Sequence, residues 1–256
     1  MNKMLVDLQD FVKEVAKIYG DRDAYKYIVE DTVVSKTFRD LERDACAIAS
    51  WFVNKGWQGK HIAILGSSSY HWVTTFLGVE CSSNVVIPID KMLSEEEILN
   101  LLVMGDADAV FLSEEFEPMI GKIKEADNRV EEVISISDTR FREILRTEPV
   151  ELPKIDPDAL AEILFTSGTT GLSKGVMLCQ RNLTAAINSS CLSMSYDDEN
   201  TFVSVLPAHH TYEMTCTNLS LMNIGASVLV NDSLKHVMKN ISEFKPNALC
   251  MVPLFL

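Results

Sequence analysis

Phe165-Thr166-Ser167-Gly168-Thr169-Thr170-Gly171-Leu172-Ser173-Lys174-Gly175 is the stretch on which the reading of this 256-residue chain turns. Its glycines permit positive φ and a close approach of backbone to a bound group. Its serine and threonine hydroxyls are short hydrogen-bond donors, and Lys174 adds one point charge. An oligophosphate needs many N–H and O–H donors converging on its oxygens, and small hydroxylated residues supply them without bulk in the way. The residues describe a polyphosphate cradle.

The flanks say what carries that cradle. A Walker loop sets Gly-Lys-Ser/Thr directly before a helix. Here Lys174 precedes Gly175, and Val176-Met177-Leu178-Cys179 is apolar and partly β-branched, which predicts a strand. Ala161-Glu162-Ile163-Leu164-Phe165 predicts another strand in front. The glycine loop is therefore expected to join two strands and hang free at the tip, able to close over its ligand.

Working outward, short apolar runs recur at His61–Leu65, Val85–Ile89, Asp108–Leu112, Val130–Ile136, Thr201–Leu206, Ser227–Val230 and Ala248–Val252, mostly separated by helical stretches. An opening hairpin is expected from Tyr25–Val29 and Val33–Phe38 around Glu30-Asp31, after which Thr37 and Asp40 are spaced to cap a helix ending near Gly56. Ser94 and Glu97 form a second capping-box pattern, and Glu95-Glu96-Glu97 suits a helix start. Such alternation predicts an α/β fold, a mostly parallel sheet with helices on both faces. Three prolines, Pro149, Pro153 and Pro157, among acidic residues mark 148–158 as the expected linker between a first half, 1–147, and a second half, 159–256. Trp51, Trp57 and Trp72, with Phe52 and Phe76, fall at helical spacings and read as packing residues.

At 47% hydrophobic residues the chain can build a large core, and a formal net charge of −14 argues against nucleic acid or an anionic membrane surface as partner. Six scattered cysteines without a Cys-x-x-Cys pair read as reduced thiols. The N-terminus reads as an amphipathic surface helix, with Met4, Leu5, Leu8, Phe11, Val12, Val15 and Tyr19 at helical spacing, rather than as a signal peptide. No run approaches a membrane span, and a cytoplasmic location is expected.

Residues 165–175 match, at every defined position, the signature loop of the adenylate-forming (AMP-binding) enzymes, a superfamily that includes acyl-CoA synthetases, firefly luciferase and peptide-synthetase adenylation domains. Three further segments resemble that family's other elements in the right order: Lys36-Thr37-Phe38-Arg39-Asp40-Leu41, Gly78-Val79-Glu80 through Pro88-Ile89-Asp90, and Leu206-Pro207-Ala208-His209-His210. The first carries Asp40 where glutamate is usual, and the last places the family histidine at His210. His210-Thr211-Tyr212-Glu213 and Ser69-Tyr70-His71-Trp72 resemble long-chain fatty acyl-CoA ligases most.

The resemblance implies two-step activation of a small-molecule carboxylic acid, with ATP, magnesium and coenzyme A taking part. The carboxylate attacks the α-phosphorus and pyrophosphate leaves; a thiol then displaces AMP from the acyl-adenylate. Thr166, Ser167, Gly168, Thr169, Thr170 and Gly171 would wrap the β- and γ-phosphates, Lys174 would offset the charge that develops as pyrophosphate departs, and His210 would line the acyl and carboxylate pocket. A histidine after a strand end suits the ligand-binding rim of a parallel sheet, whereas neighbouring His209 reads as a packing residue. A metal site made by the two is disfavoured, because adjacent residues are not expected to face one ligand and no third ligand is evident.

Family members are commonly about twice this long. The Tyr-Gly-x-Thr-Glu element, the ribose-binding aspartate, the hinge and the small C-terminal domain with its adenylation lysine find no counterpart here. The expectation is a truncated N-terminal AMP-binding portion, inactive alone. An aryl-CoA ligase, a peptide-synthetase adenylation domain, or a non-catalytic nucleotide-binding or interaction module stand as alternatives. Chain-length preference and oligomeric state are not legible.

Overall fold

In the computed structural model, residues 4–29, 32–126, 128–167, 173–193, 195–231 and 234–249 are described. The elements run α1 (Leu8–Tyr19), β1 (Asp23–Val29), β2 (Thr32–Thr37), α2 (Phe38–Asn54), β3 (His61–Leu65), α3 (Tyr70–Cys81), β4 (Val85–Ile89), α4 (Glu95–Met104) and β5 (Ala109–Leu112). They continue α5 (Ile120–Glu125), β6 (Glu132–Ser135), α6 (Thr139–Ile144), β7 (Leu160–Ser167), β8 (Ser173–Cys179), α7 (Gln180–Ser193), β9 (Thr201–Ser204), α8 (Ser220–Asn223), β10 (Ser227–Val230), α9 (Val237–Phe244) and β11 (Ala248–Leu249). Two compact units result. The first gathers Met1–Arg43, Ser68–Val73 and Leu183–Leu256; the second gathers Asp44–Ser67 and Thr74–Asn182.

The single parallel sheet expected from the strand rhythm is thus two mostly parallel sheets. In the first unit the strand order is β11-β9-β10-β1-β2, and only the β1–β2 pair is antiparallel. Helix α1 is capped by Asp7, whose side chain accepts from the Asp10 N–H at 2.8 Å, and it buries Leu8, Phe11, Val12 and Val15 while Met4 ahead of it stays exposed. Gly225 precedes β10 with φ +85°, and a Cβ there would stand 2.3 Å from a Tyr19 ring carbon, so this turn admits only glycine.

In the second unit the order is β6-β5-β3-β4-β7-β8, with only β7–β8 antiparallel. Strands buried on both faces read as unbroken apolar runs, which is why β3 and β4 coincide with the runs seen in the sequence. Pro88 removes one N–H from β4, and that strand pairs with β7 at a single position, Val86 with Glu162. Ala63, Leu65, Ile87, Ile89, Leu102 and Leu112 belong to one core cluster with α4. Trp51, Phe52, Trp57, Phe111 and Phe141 form a second, with ring centroids 5.1–6.3 Å apart, and Phe76 is also buried, as is Trp72 in the first unit. The proline-rich segment 148–158 also lies in the second unit, where the Val150 N–H donates to Ser50 Oγ at 3.1 Å and Ile155 is buried.

Both capping boxes form. Thr37 and Asp40 exchange hydrogen bonds at 3.0 Å at the start of α2, and Ser94 and Glu97 do so at the start of α4. The two segments expected from Asp108 and Val130 are shorter than the runs, because Asp108 and Val130 lie before the first paired residues. No helix among the described residues is long and apolar enough to cross a membrane.

Candidate functional site

The glycine-rich sequence joins the strands of an antiparallel hairpin whose register shifts once, between Leu160 and Glu162. Pairing runs from Leu160 with Cys179 to Ser167 with Ser173, and Thr166 stands directly across from Lys174. Strand pairing thus reaches further than the apolar runs indicated: Thr166, Ser167, Lys174 and Gly175 are ladder residues, since backbone hydrogen bonding continues where apolar side chains stop. Ile163 and Phe165 join the core cluster, so the pleat turns the exposed Thr166 to the opposite face. Lys174 is exposed as well.

Gly175 does not use the positive φ expected of the loop glycines; it is absent from the left-handed positions and sits in β8. Its reason is spatial. An added Cβ would meet Ile163 at 3.2 Å and Phe165 at 3.4 Å, so glycine lets the hairpin close on its own core residues. Gly168, Thr169, Thr170 and Gly171 lie outside the described residues, as does the Ser167 side chain.

At the base of that hairpin the structure adds something the sequence reading passed over. Glu162, on β7, is 3% exposed and Glu80, in the last turn of α3, is fully buried. Burial lifts the Glu162 carboxyl to about 8. Burial and the neighbouring Glu162 hold Glu80 well above the usual carboxylate range, and the first residue of α7, Gln180, donates to the Glu80 carbonyl at 2.9 Å. Burial thus favours the protonated form of both carboxyls. The available signal was a lone carboxylate in each of two apolar segments, YHWVTTFLGVEC and LAEILF.

His210 belongs to the first unit and Lys174 to the second. The strand before the histidines ends at Ser204, two residues earlier than the apolar run, and Val205–His210 turns back toward the next helix. The His210 N–H donates to the Pro207 carbonyl at 3.0 Å, the Ala208 N–H donates to Ser68 Oγ at 2.8 Å, and the His210 carbonyl accepts from the Met214 N–H at 2.9 Å. His210 is exposed and His209 half-buried. Their rings stand 4.6 Å apart, tilted by 32°. Among the described residues no cluster of three or more His, Cys, Asp or Glu could hold a metal.

Behind the turn lies a π-helical stretch, Glu213–Leu219, of a kind that is rare in general and frequent at functional sites. Glu213 is fully buried; its carboxyl accepts from Ser204 Oγ and, at 3.0 Å, from Thr217 Oγ1. Asn218 donates to the Glu213 carbonyl at 3.0 Å and accepts from the Tyr25 hydroxyl. Burial raises Glu213 to about 7, against the pull of those two hydroxyls.

The segments likened to the family's early elements have structural work. Thr37 and Asp40 cap α2, and Asp90 accepts from the Met92 N–H at 2.8 Å in the turn after β4. None of the five described cysteines, Cys46, Cys81, Cys179, Cys191 and Cys216, is in a disulfide.

The family model of the AMP-binding enzymes matches residues 12–256. A crotonobetaine/carnitine–CoA ligase of Escherichia fergusonii is 25% identical over 237 residues, covering 87% of this chain and 46% of that protein. The chain spans about half the length of the curated relatives it matches. Among solved structures, the inhibitor-bound N-terminal domain of FACL13 from Mycobacterium tuberculosis superposes with a TM-score of 0.87 at 22% identity, covering 97% of this chain and 63% of that one. A putative long-chain-fatty-acid CoA ligase from Rhodopseudomonas palustris gives 0.86 at 20%, covering 97% and 64%. At these identities the structural matches establish the fold: two mostly parallel sheets with helices, as in the N-terminal part of acyl-CoA synthetases.

Proposed function

The chain belongs to the AMP-binding enzyme family, and from that premise we propose that it serves ATP-dependent acid–CoA ligation, with a fatty acid as the favoured substrate. In the first step a carboxylate oxygen bonds to the α-phosphorus and the bond to pyrophosphate breaks. In the second the thiol of coenzyme A bonds to the acyl carbon, the bond to AMP breaks and the thiol proton leaves. Magnesium enters as the counter-ion of the nucleotide phosphates.

The observation that carries this reading is the pairing of exposed Thr166 with exposed Lys174 across the hairpin on either side of the glycine-rich connection. A hydroxyl donor and an ammonium carried on paired strand residues would both be aimed where charge builds on the departing pyrophosphate. Ser167, Gly168, Thr169, Thr170 and Gly171 would complete the cradle with further donors. His210, exposed on its turn, would meet the acid's carboxylate. Fatty acids are favoured by the His210-Thr211-Tyr212-Glu213 segment, and the similar Rhodopseudomonas palustris structure is named a putative long-chain-fatty-acid CoA ligase. Residues 1–147 and 159–256, joined by 148–158, would form the N-terminal AMP-binding portion of such an enzyme, in the cytoplasm.

The test is acid-dependent exchange of pyrophosphate into ATP by the natural gene product, over a panel of aliphatic, aryl and amino acids. Exchange is expected with fatty acids, and Lys174→Ala should lower it by roughly 100-fold without changing thermal stability. Equal exchange by both proteins would contradict the role of Lys174, and exchange confined to amino or aryl acids would contradict the choice of substrate.

A further inference from the structure

We propose that Glu213 is a positioning residue: its buried carboxyl ties the end of β9 to the π-helical stretch and thereby fixes the turn that presents His209 and His210. The inference deepens the reading of His210 as part of the acid pocket and rests on it for its functional consequence.

The geometry is specific. The connection from Ser204 at the strand end to Glu213 spans eight residues, Val205 to Tyr212, of which Thr211 and Tyr212 are already helical. Ser204 Oγ donates to one carboxyl oxygen of Glu213, which closes that connection into a loop at its two ends. The other oxygen accepts from Thr217 Oγ1 at 3.0 Å, so the loop's closing group is itself anchored one helical turn on. Asn218 and Tyr25 extend the anchor to β1, a strand of the same sheet. Inside the loop, the His210 N–H and carbonyl are both used, by Pro207 and Met214, and Ala208 is held by Ser68. The backbone of the turn is therefore determined at each end and in the middle, while the His210 ring stays exposed. Every tie lies within the first unit.

A helix need not place a carboxyl in its interior to be stable. An isolated acid there costs free energy, and only full hydrogen bonding offsets it. Glu213 has that bonding on both oxygens, and its partners are the residues that bound the histidine turn. Replacing Ser204 by alanine removes one buried hydroxyl and opens the loop; replacing Glu213 by glutamine leaves one acceptor oxygen for two hydroxyl donors.

The test reads the histidine rings by NMR in the 256-residue chain, with Ser204→Ala and Glu213→Gln. The ring signals of His209 and His210 are expected to move in both variants while those of His61 and His236 stay in place. Folded variants whose His209 and His210 signals do not move, or whose four signals all move alike, would overturn the proposal. So would loss of the fold in both, which would make Glu213 a structural anchor alone. In the natural gene product, Ser204→Ala should also raise the KM for the acid roughly tenfold or more and leave that for ATP unchanged. A wild-type protein that turns over no carboxylic acid would remove the acid-pocket reading, while the ring signals would still decide the role of Glu213.

Discussion

Glu162 keeps its proton because leaving it charged in the buried position on β7 costs more than holding it neutral. An unfolded glutamate ionises near 4.5, the folded one near 8. The folded value is the higher, so the stability this group contributes is complete below the unfolded value and is lost as pH rises toward the folded one. The expected slope is about 1.4 kcal/mol per pH unit for each such proton. Glu80 and Glu213, also raised, add to it. Denaturation of wild type and Glu162→Gln between pH 5 and 8 should show a shallower decline in the variant by about one proton's worth. Superimposable profiles would show that Glu162 is ionised in the folded protein. The sequence names both glutamates as residues of apolar segments but carries no sign that they meet, because contact between a helix end and a strand is a tertiary fact. Lys174 and Thr166 could be singled out in the sequence for the opposite reason: the motif that proposes them is contiguous.

At the scale of elements, local chemistry explains most of what was legible. The Ser94–Glu97 box forms as its spacing dictates, with Ser94 accepting from the Glu97 N–H at 3.3 Å and Glu97 accepting from the Ser94 N–H at 2.8 Å. The hydrogen bonds from Ser94 hold the Glu97 carboxyl below its usual value. Ser94→Ala should therefore destabilise the protein by about 1 kcal/mol, and Ser94→Asp by much less, as read by chemical denaturation. No difference between the two variants would mean that α4 is set by packing alone. Apolar runs located β3, β4 and β10 to the residue. The same criterion failed at β7, β8 and β9, where pairing either extends into polar residues or stops inside an apolar run. The π-helical stretch Glu213–Leu219 was invisible, since EMTCTNL has no apolar period that separates it from an ordinary helix.

For the whole molecule, rhythm predicts parallel pairing but not partners. Tyr25 pairs with Val228 and Val86 with Glu162, so each sheet joins strands far apart in sequence, and one run of alternating elements becomes two sheets. Nothing in a strand's own residues names its neighbour, which is why sheet order had to come from the structure. The glycine-rich hairpin needed no such knowledge. That this hairpin grips a nucleoside triphosphate is tested most directly by a crystal structure of the natural gene product with a hydrolysis-resistant ATP analogue. The β- and γ-phosphoryl oxygens are predicted to lie within hydrogen-bonding distance, about 2.7–3.2 Å, of the Thr166 hydroxyl and Lys174 Nζ. Phosphoryl groups held by residues outside 165–175 would contradict it.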